Sequence, residues 1–392
     1  MFAIRQLLLL IATAMAAAVT CDCSQTLTSQ LLQTVVSAQP NDNVIVSPIS
    51  IETCLALAYL GAEGQTAAEL ATSLQLPQAG DKRAVAQKFG RLFEKTKSAT
   101  GTATFRLANR IYIDERFQVS PQYNAYAVDQ MHANAESVRF ADAAATAANI
   151  NSWVEAETDN KIRDLIPANG LDANTALVLV NALYFKAKWV NQFHNHTTTR
   201  RHFHESAARK VEVDMMKQTD DFLYGDFPEL DATAVELAYL DTDVSMLVLL
   251  PKSVDGLADL EAKLKSVDLT KLSTAMRTEE VILHLPKFKF EFELELKPVL
   301  EQFGITSMFS DEADFSSLLA AQEKVAVSQA QHKAFIEVNE SGTEAAAATY
   351  LKIVPLSASF QQQTYQFVAD HPFVFAIKDN ENVYFVGHVT HF

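Results

Sequence analysis

Apolar residues recur along this chain with two different periods. In the first half the spacing is helical and predicts helices over residues 24–39, 48–61, 82–97 and about 142–158, the last carrying Ile150, Trp153 and Val154. Pro48 directly after Ser47 suits a helix start. Later the period changes to two. Val281, Leu283 and Leu285, then Phe288, Phe290, Phe292, Leu294 and Leu296, alternate with polar residues such as Lys289, Glu291, Glu293 and Glu295, as a half-buried strand requires. The unbroken apolar run 245–250, ended by Pro251, predicts a fully buried strand, and runs at 373–377 and 383–389 bracket a turn at 379–382. Helices early and strands late predict an α+β fold.

Composition agrees with one large globular unit. The 392 residues are 48% hydrophobic and 20% charged, enough apolar material for a sizeable core. The 11 glycines and 11 prolines are scattered, with no repeat and no linker-like joint, so residues 21–392 are read as a single domain. A net charge of −16 argues against a nucleic-acid partner or an anionic membrane, since both require positive surface potential. Residues 1–20 have a basic start, an apolar run from Leu7 to Val19 and small residues after it. That layout predicts a signal peptide and a secreted, extracellular protein, because the run is too short to span a bilayer comfortably. Of three cysteines, Cys54 sits among apolar residues and is expected to be buried as a small hydrophobe. Cys21 and Cys23 are too close for an easy mutual bridge, which leaves pairing outside the chain or partial removal with the signal both open.

No enzyme motif is present: there is no Gly-x-Ser-x-Gly, no His-Glu-x-x-His, no phosphate loop and no dinucleotide fingerprint. His194, His196, His202 and His204 cluster in sequence, but no cysteine or helically spaced pair completes a metal set, so they read as a solvated loop and strand. No metal and no cofactor are expected. One helix is basic, and Lys88, Arg91 and Lys95 fall on one face of it. That stripe reads as a solvated face, with weak binding of a sulfated polysaccharide as its functional alternative.

Residues 340–357 do not fit a quiet fold. Ser341 and Glu344 have capping-box spacing and Ala345, Ala346, Ala347 and Ala348 favour a helix, yet the stretch is short and has no apolar stripe to pack. Small side chains have another use. A segment that leaves an exposed loop and slides between two strands of a finished sheet must bring no bulk and no unpaired charge.

The chain resembles the serpin family over essentially its whole mature length. The resemblance rests on the stretches 43–50, 60–64, 181–189 (Asn-Ala-Leu-Tyr-Phe-Lys-Ala-Lys-Trp), 284–288, 332–334, 337–349 and 370–373. It implies three β-sheets, eight or nine helices and an exposed reactive-centre loop at about 341–362. It also implies a monomer that forms a covalent complex with a serine protease, then inserts its cut loop into the largest sheet and traps the enzyme. By the same resemblance, Glu340 matches the acid that ends the strand before the loop, which places the reactive bond at Leu356–Ser357. Gly342, Thr343, Glu344 and Ala345 to Ala348 match the hinge. Ser47, Ser50, Asn181 and His332 match a polar cluster under the sheet, and Trp189, Lys287 and Glu340 the point where insertion begins, with Lys287 and Glu340 as an ion pair. Leu356 suits chymotrypsin-like or elastase-like primary pockets. A non-inhibitory serpin acting as a carrier or storage protein is the alternative, disfavoured by the small hinge residues. Of two sequons, Asn195 is expected to be glycosylated and Asn339 bare.

Overall fold

The computed structural model describes residues 27–76, 81–97, 103–133, 135–343 and 363–392. Eight α-helices occur among these residues: α1 Leu27–Ala38, α2 Pro48–Gly61, α3 Gly64–Ser73, α4 Lys82–Lys97, α5 Pro121–Met131, α6 Ala143–Glu157, α7 Leu257–Leu264 and α8 Leu296–Gln302. The helical periods read from the sequence match α1, α2, α4 and α6 to within a residue or so, and residues 24–26 lie outside the described part. Helix α2 is started by Ser47, whose hydroxyl accepts from the Ser50 N–H, with Pro48 in the first turn where no donor is missed. All but one of its residues are buried, so it runs through the core instead of covering it.

Two hydrogen-bonded sheets flank this core. The six-stranded sheet contains β2 Thr104–Asp114, β3 Ala135–Val138, β4 Leu177–Lys188, β10 Phe288–Glu295, β11 Val327–Asn339 and β12 Gly342–Thr343, in the order β10-β11-β12-β4-β2-β3. Below the two-residue β12, β11 pairs directly and in parallel with β4, from Val327 opposite Leu177 to Phe335 opposite Tyr184. The nine-stranded assembly contains β1 Val44–Val46, β5 Thr199–His204, β6 Lys210–Phe227, β7 Ala232–Ala238, β8 Ser245–Pro251, β9 Arg277–Pro286, β13 Tyr365–Val368, β14 Phe373–Lys378 and β15 Val383–Val389. Its 18-residue β6 joins two portions, pairing with β5 at one end and β7 at the other. The expected three sheets are therefore seen with two of them fused through one long strand.

The alternating pattern from Val281 to Leu296 is not one strand but two. Pro286 ends the pairing of β9 with β6, and the Lys287 N–H turns to the Asp214 carbonyl at 2.9 Å, after which β10 enters the other sheet. The alternation restarts one residue out of phase across the break, on odd positions up to Leu285 and on even positions from Phe288, because each strand buries a face in its own sheet. Strands also begin earlier than expected, since β2, β3 and β4 lie between helices. Strand β4 is buried on both faces over its first nine residues, so it shows no alternation. Its outer face packs under α6 in a cluster including Tyr112, Phe140, Ile150, Val154, Val178, Val180 and Phe335. The main core fills the opposite face.

Candidate functional site

The upper end of the β4–β11 seam is held open by β12. Gly342 stands opposite Asn339 of β11 and Lys188 of β4, and Thr343 opposite Val338 and Ala187, so two residues already form an antiparallel strand between parallel neighbours. Gly342 is required there: at φ +153° a Cβ would meet the Ala187 carbonyl oxygen at 2.0 Å. Thr343 is 1% exposed, and its hydroxyl lies 2.6 Å from the Tyr239 hydroxyl. The residues of the expected hinge beyond it, Glu344 and Ala345 to Ala348, lie outside the described residues, as do Leu356 and Ser357.

Side chains from four directions fix this end. The Trp189 ring stacks on Tyr239 at 4.4 Å between centroids, and its indole N–H donates to the Asn339 carbonyl at 3.0 Å. Backbone N–H groups of Trp189 and Phe193 donate to the carbonyls of Ser341 and Glu340. The Glu340 carboxylate receives Lys287 Nζ at 3.0 Å and the Thr198 hydroxyl at 2.8 Å. Burial alone would raise the Glu340 pKa, but hydrogen bonds from its own backbone, Thr198 and Lys287 outweigh this, holding it below the usual carboxylate range. Tyr239 and Thr198 carry no sequence signal. Each follows or precedes a strand without a motif, and only the fold brings them to Thr343 and Glu340.

Lower on the same seam the strands are closed over a buried polar cluster. His332 on β11 donates from Nδ1 to Asn181 Oδ1 on β4, and its Nε2 accepts the Ser47 N–H at 3.2 Å. Asn181 Nδ2 donates to Ser50 Oγ and to Asn109 Oδ1, each at 2.6 Å. Ser47, Ser50, Asn181 and His332 are fully buried, and desolvation pushes the imidazole pKa down to about 3. The ring is consequently neutral, as its one donated and one accepted bond require. Asn109, directly opposite Asn181 on β2, completes the cluster, and the sequence reading did not include it. A single Asn in the mixed strand β2 was its only signal.

The remaining predicted residues fall elsewhere. Lys88 and Arg91 point outward from α4, but Lys95 is drawn to Asp379 at 2.8 Å, Glu381 at 3.2 Å and Asp243 at 3.8 Å. This acidic clamp takes one cation out of the basic stripe and sets carboxylates at its end. His194 and His196 stack at 5.3 Å, and no group of three or more potential ligands able to hold a metal occurs among the described residues. Asn195 is exposed in a short turn, whereas Asn339 lies within β11 and accepts the Ser341 N–H. Cys54 is 1% exposed, and burial raises its thiol pKa to about 12, which makes it inert as a nucleophile. The seam's upper end thus already takes Gly342 and Thr343 as a strand between β11 and β4.

Comparison with known proteins agrees. Residues 23–392 match the family described as Serpin (serine protease inhibitor). The chain is 38% identical to "Serine protease inhibitor 42Dd" of Drosophila melanogaster over 92% of its length and 94% of that protein. It is 35% identical to "Antichymotrypsin-2" of Bombyx mori, over 92% of this chain and 95% of that one. The solved structure of cleaved Serpin 42Da superposes with a TM-score of 0.84 at 35% identity, covering 93% of this chain and 96% of that chain. With a family match spanning nearly every residue and a seam that already admits β12, the chain belongs to the serpin family of protease inhibitors.

Proposed function

We propose that the protein is a secreted inhibitor of chymotrypsin-like or elastase-like serine proteases, cut at Leu356–Ser357 and trapping the enzyme by drawing residues 344–348 and beyond into the seam behind Thr343. The observation that carries this reading is the buried pairing of Gly342 and Thr343 between β4 and β11. A strand has begun where the loop starts, and on insertion Ala345 to Ala348 would bring side chains too small to resist burial. Every step of chemistry belongs to the protease, whose serine attacks the Leu356 carbonyl. The inhibitor contributes the bond, the strand and the free energy of insertion.

Leu356 fills an apolar primary pocket and cannot pair with a buried aspartate at the base of a trypsin-like one. The protein acts as a monomer without cofactor, leaves the cell after loss of residues 1–20, and carries a glycan on the exposed Asn195. Glu340, Lys287 and Trp189 mark where insertion starts, and Ser47, Ser50, Asn181 and His332 control strand separation. Incubation with chymotrypsin is expected to give an SDS-stable complex and a released peptide whose mass begins at Ser357, with little complex from trypsin. Simple cleavage by every protease tested, with no stable complex and no gain in thermal stability, would refute the inhibitor reading in favour of a carrier or storage role.

A further inference from the structure

A basic face lies on the strands that adjoin the C-terminal side of the loop. On β6, Lys217 stands directly opposite His284 of β9, and His284 stands opposite Val368 of β13. Arg201 of β5 reaches the same imidazole, with Nη1 2.7 Å from Nδ1. Burial, then the charges of Arg201 and Lys217, hold the His284 pKa down to about 4, so the ring is a neutral acceptor that aims the guanidinium. Arg201 and Lys217 are both exposed, and neither pairs with a carboxylate among the described residues. The charge of Asp370 also reaches the His284 ring, but this carboxylate is hydrogen bonded to His371 at 2.9 Å instead of to either cation. Exposed Thr219 and Gln366 flank the pair on the same strand faces. Two exposed cations beside one imidazole, with no salt-bridge partner among the described residues, are unexpected on a chain of net charge −16.

The location selects the occupant. Lys217 is two strands from β13, about 10 Å at the usual strand spacing. Tyr365, which opens β13, follows Ser357 by eight positions, so the reactive bond lies within about 28 Å of it even with the chain fully extended. A protease domain of ordinary size is about 45 Å across. Its body, once seated on the loop, spans that distance.

We propose that the face carrying Arg201, Lys217 and His284 is a secondary docking surface that receives carboxylate side chains from the body of the protease. The inference rests on the inhibitor reading and deepens it, adding to the Leu356 side chain a selection by surface charge. Charge complementarity of this kind acts mainly on the association rate and is screened by salt.

The test is the double variant Arg201→Glu/Lys217→Glu in the full-length protein, measured against two chymotrypsin-like proteases, one with an acidic surface and one with a basic surface. The second-order rate of complex formation with the acidic enzyme is expected to fall about tenfold at low salt, with its salt dependence flattened, and the rate with the basic enzyme to stay level or rise. The milder Arg201→Gln/Lys217→Gln should give an intermediate loss. Stoichiometry of inhibition and the thermal gain on cleavage report folding and should not move. Equal changes with both enzymes, or none, would overturn the docking surface while leaving inhibition intact. Loss of heparin retention with unchanged protease rates would overturn it in favour of a polyanion site. A wild-type protein that forms no complex with any protease removes the inhibitor reading itself, and this proposal with it.

Discussion

The two ends of one seam are built on opposite principles. At its upper end β4 and β11 are parted by β12, and the groups around it, Trp189, Tyr239, Lys287 and Glu340, hold the parted edges through a stack, an ion pair and bonds to main-chain carbonyls. Lower down the same two strands pair directly, and His332 and Asn181 tie them over Ser47 and Ser50 of the buried helix. The upper contacts already accommodate the strand that Gly342 and Thr343 begin. The lower contacts cross the space a strand would fill, and widening the seam by one strand, about 4.8 Å, breaks the His332–Asn181 bond. Under the proposed mechanism, an inserting chain would meet a parted seam first and a closed one afterwards.

The sharpest way to break this contrast is at Thr343. Thr343→Arg would force a guanidinium into a site 1% exposed beneath Tyr239, at a penalty of several kcal/mol for an unpaired buried charge. The loop should remain cleavable while trapping is lost, so that chymotrypsin yields cut inhibitor and free enzyme, with a stoichiometry of inhibition raised at least tenfold. An unchanged stoichiometry would mean that the upper end is not where insertion starts.

Much of this contrast was legible in the sequence, and the part that was not has a physical reason. Helical periods located α1, α2, α4 and α6, and the shortness and missing apolar stripe of the Ala-rich run after Gly342 marked it as unsuited to a packed helix. Strand β4 was not read as a strand at all, because burial on both faces erases alternation, although the family stretch 181–189 falls on it. The break at Pro286 did leave a signal, a slip of the apolar positions from odd numbers to even ones, but reading the two runs as one strand passed over it. Tyr239, Thr198 and Asn109 act through partners 104, 142 and 72 positions away, so no local pattern encodes them. The acidic clamp on Lys95 was equally hidden, since Asp379 and Glu381 meet it only through the β14–β15 turn.

A smaller effect probes the closed part of the seam. His332 is neutral in the fold, its pKa held at about 3 against 6.5 in a free side chain. Between those values the unfolded chain binds the proton that the folded one refuses, so stability falls as pH is lowered from 6.5 towards 3 and is complete above 6.5. Unfolding of the uncut protein should show this loss, on the order of a few kcal/mol across the window. His332→Gln should be less stable at pH 7.5 by about 1–3 kcal/mol, through a partner left unsatisfied, yet show a shallower decline in acid. Parallel pH profiles for the two proteins would show that the imidazole does not carry the acid sensitivity of the closed strands.

The smallest expected effect sharpens the comparison from the open end. Lys287→Met removes the ion pair with Glu340, but the Lys287 side chain is 38% exposed and the carboxylate keeps the Thr198 hydroxyl. Solvent screening limits the loss to about 1 kcal/mol or less, a shift of roughly 1–2 °C for a domain of this size. The double variant Lys287→Met/Glu340→Gln should restore part of it, because the neutral amide no longer needs a cation beside it. A loss above about 3 kcal/mol from Lys287→Met alone, as large as breaking a fully buried pair, would mean that charge and not the Trp189–Tyr239 stack holds the parted edges. The two halves of the seam would then differ in exposure but not in kind.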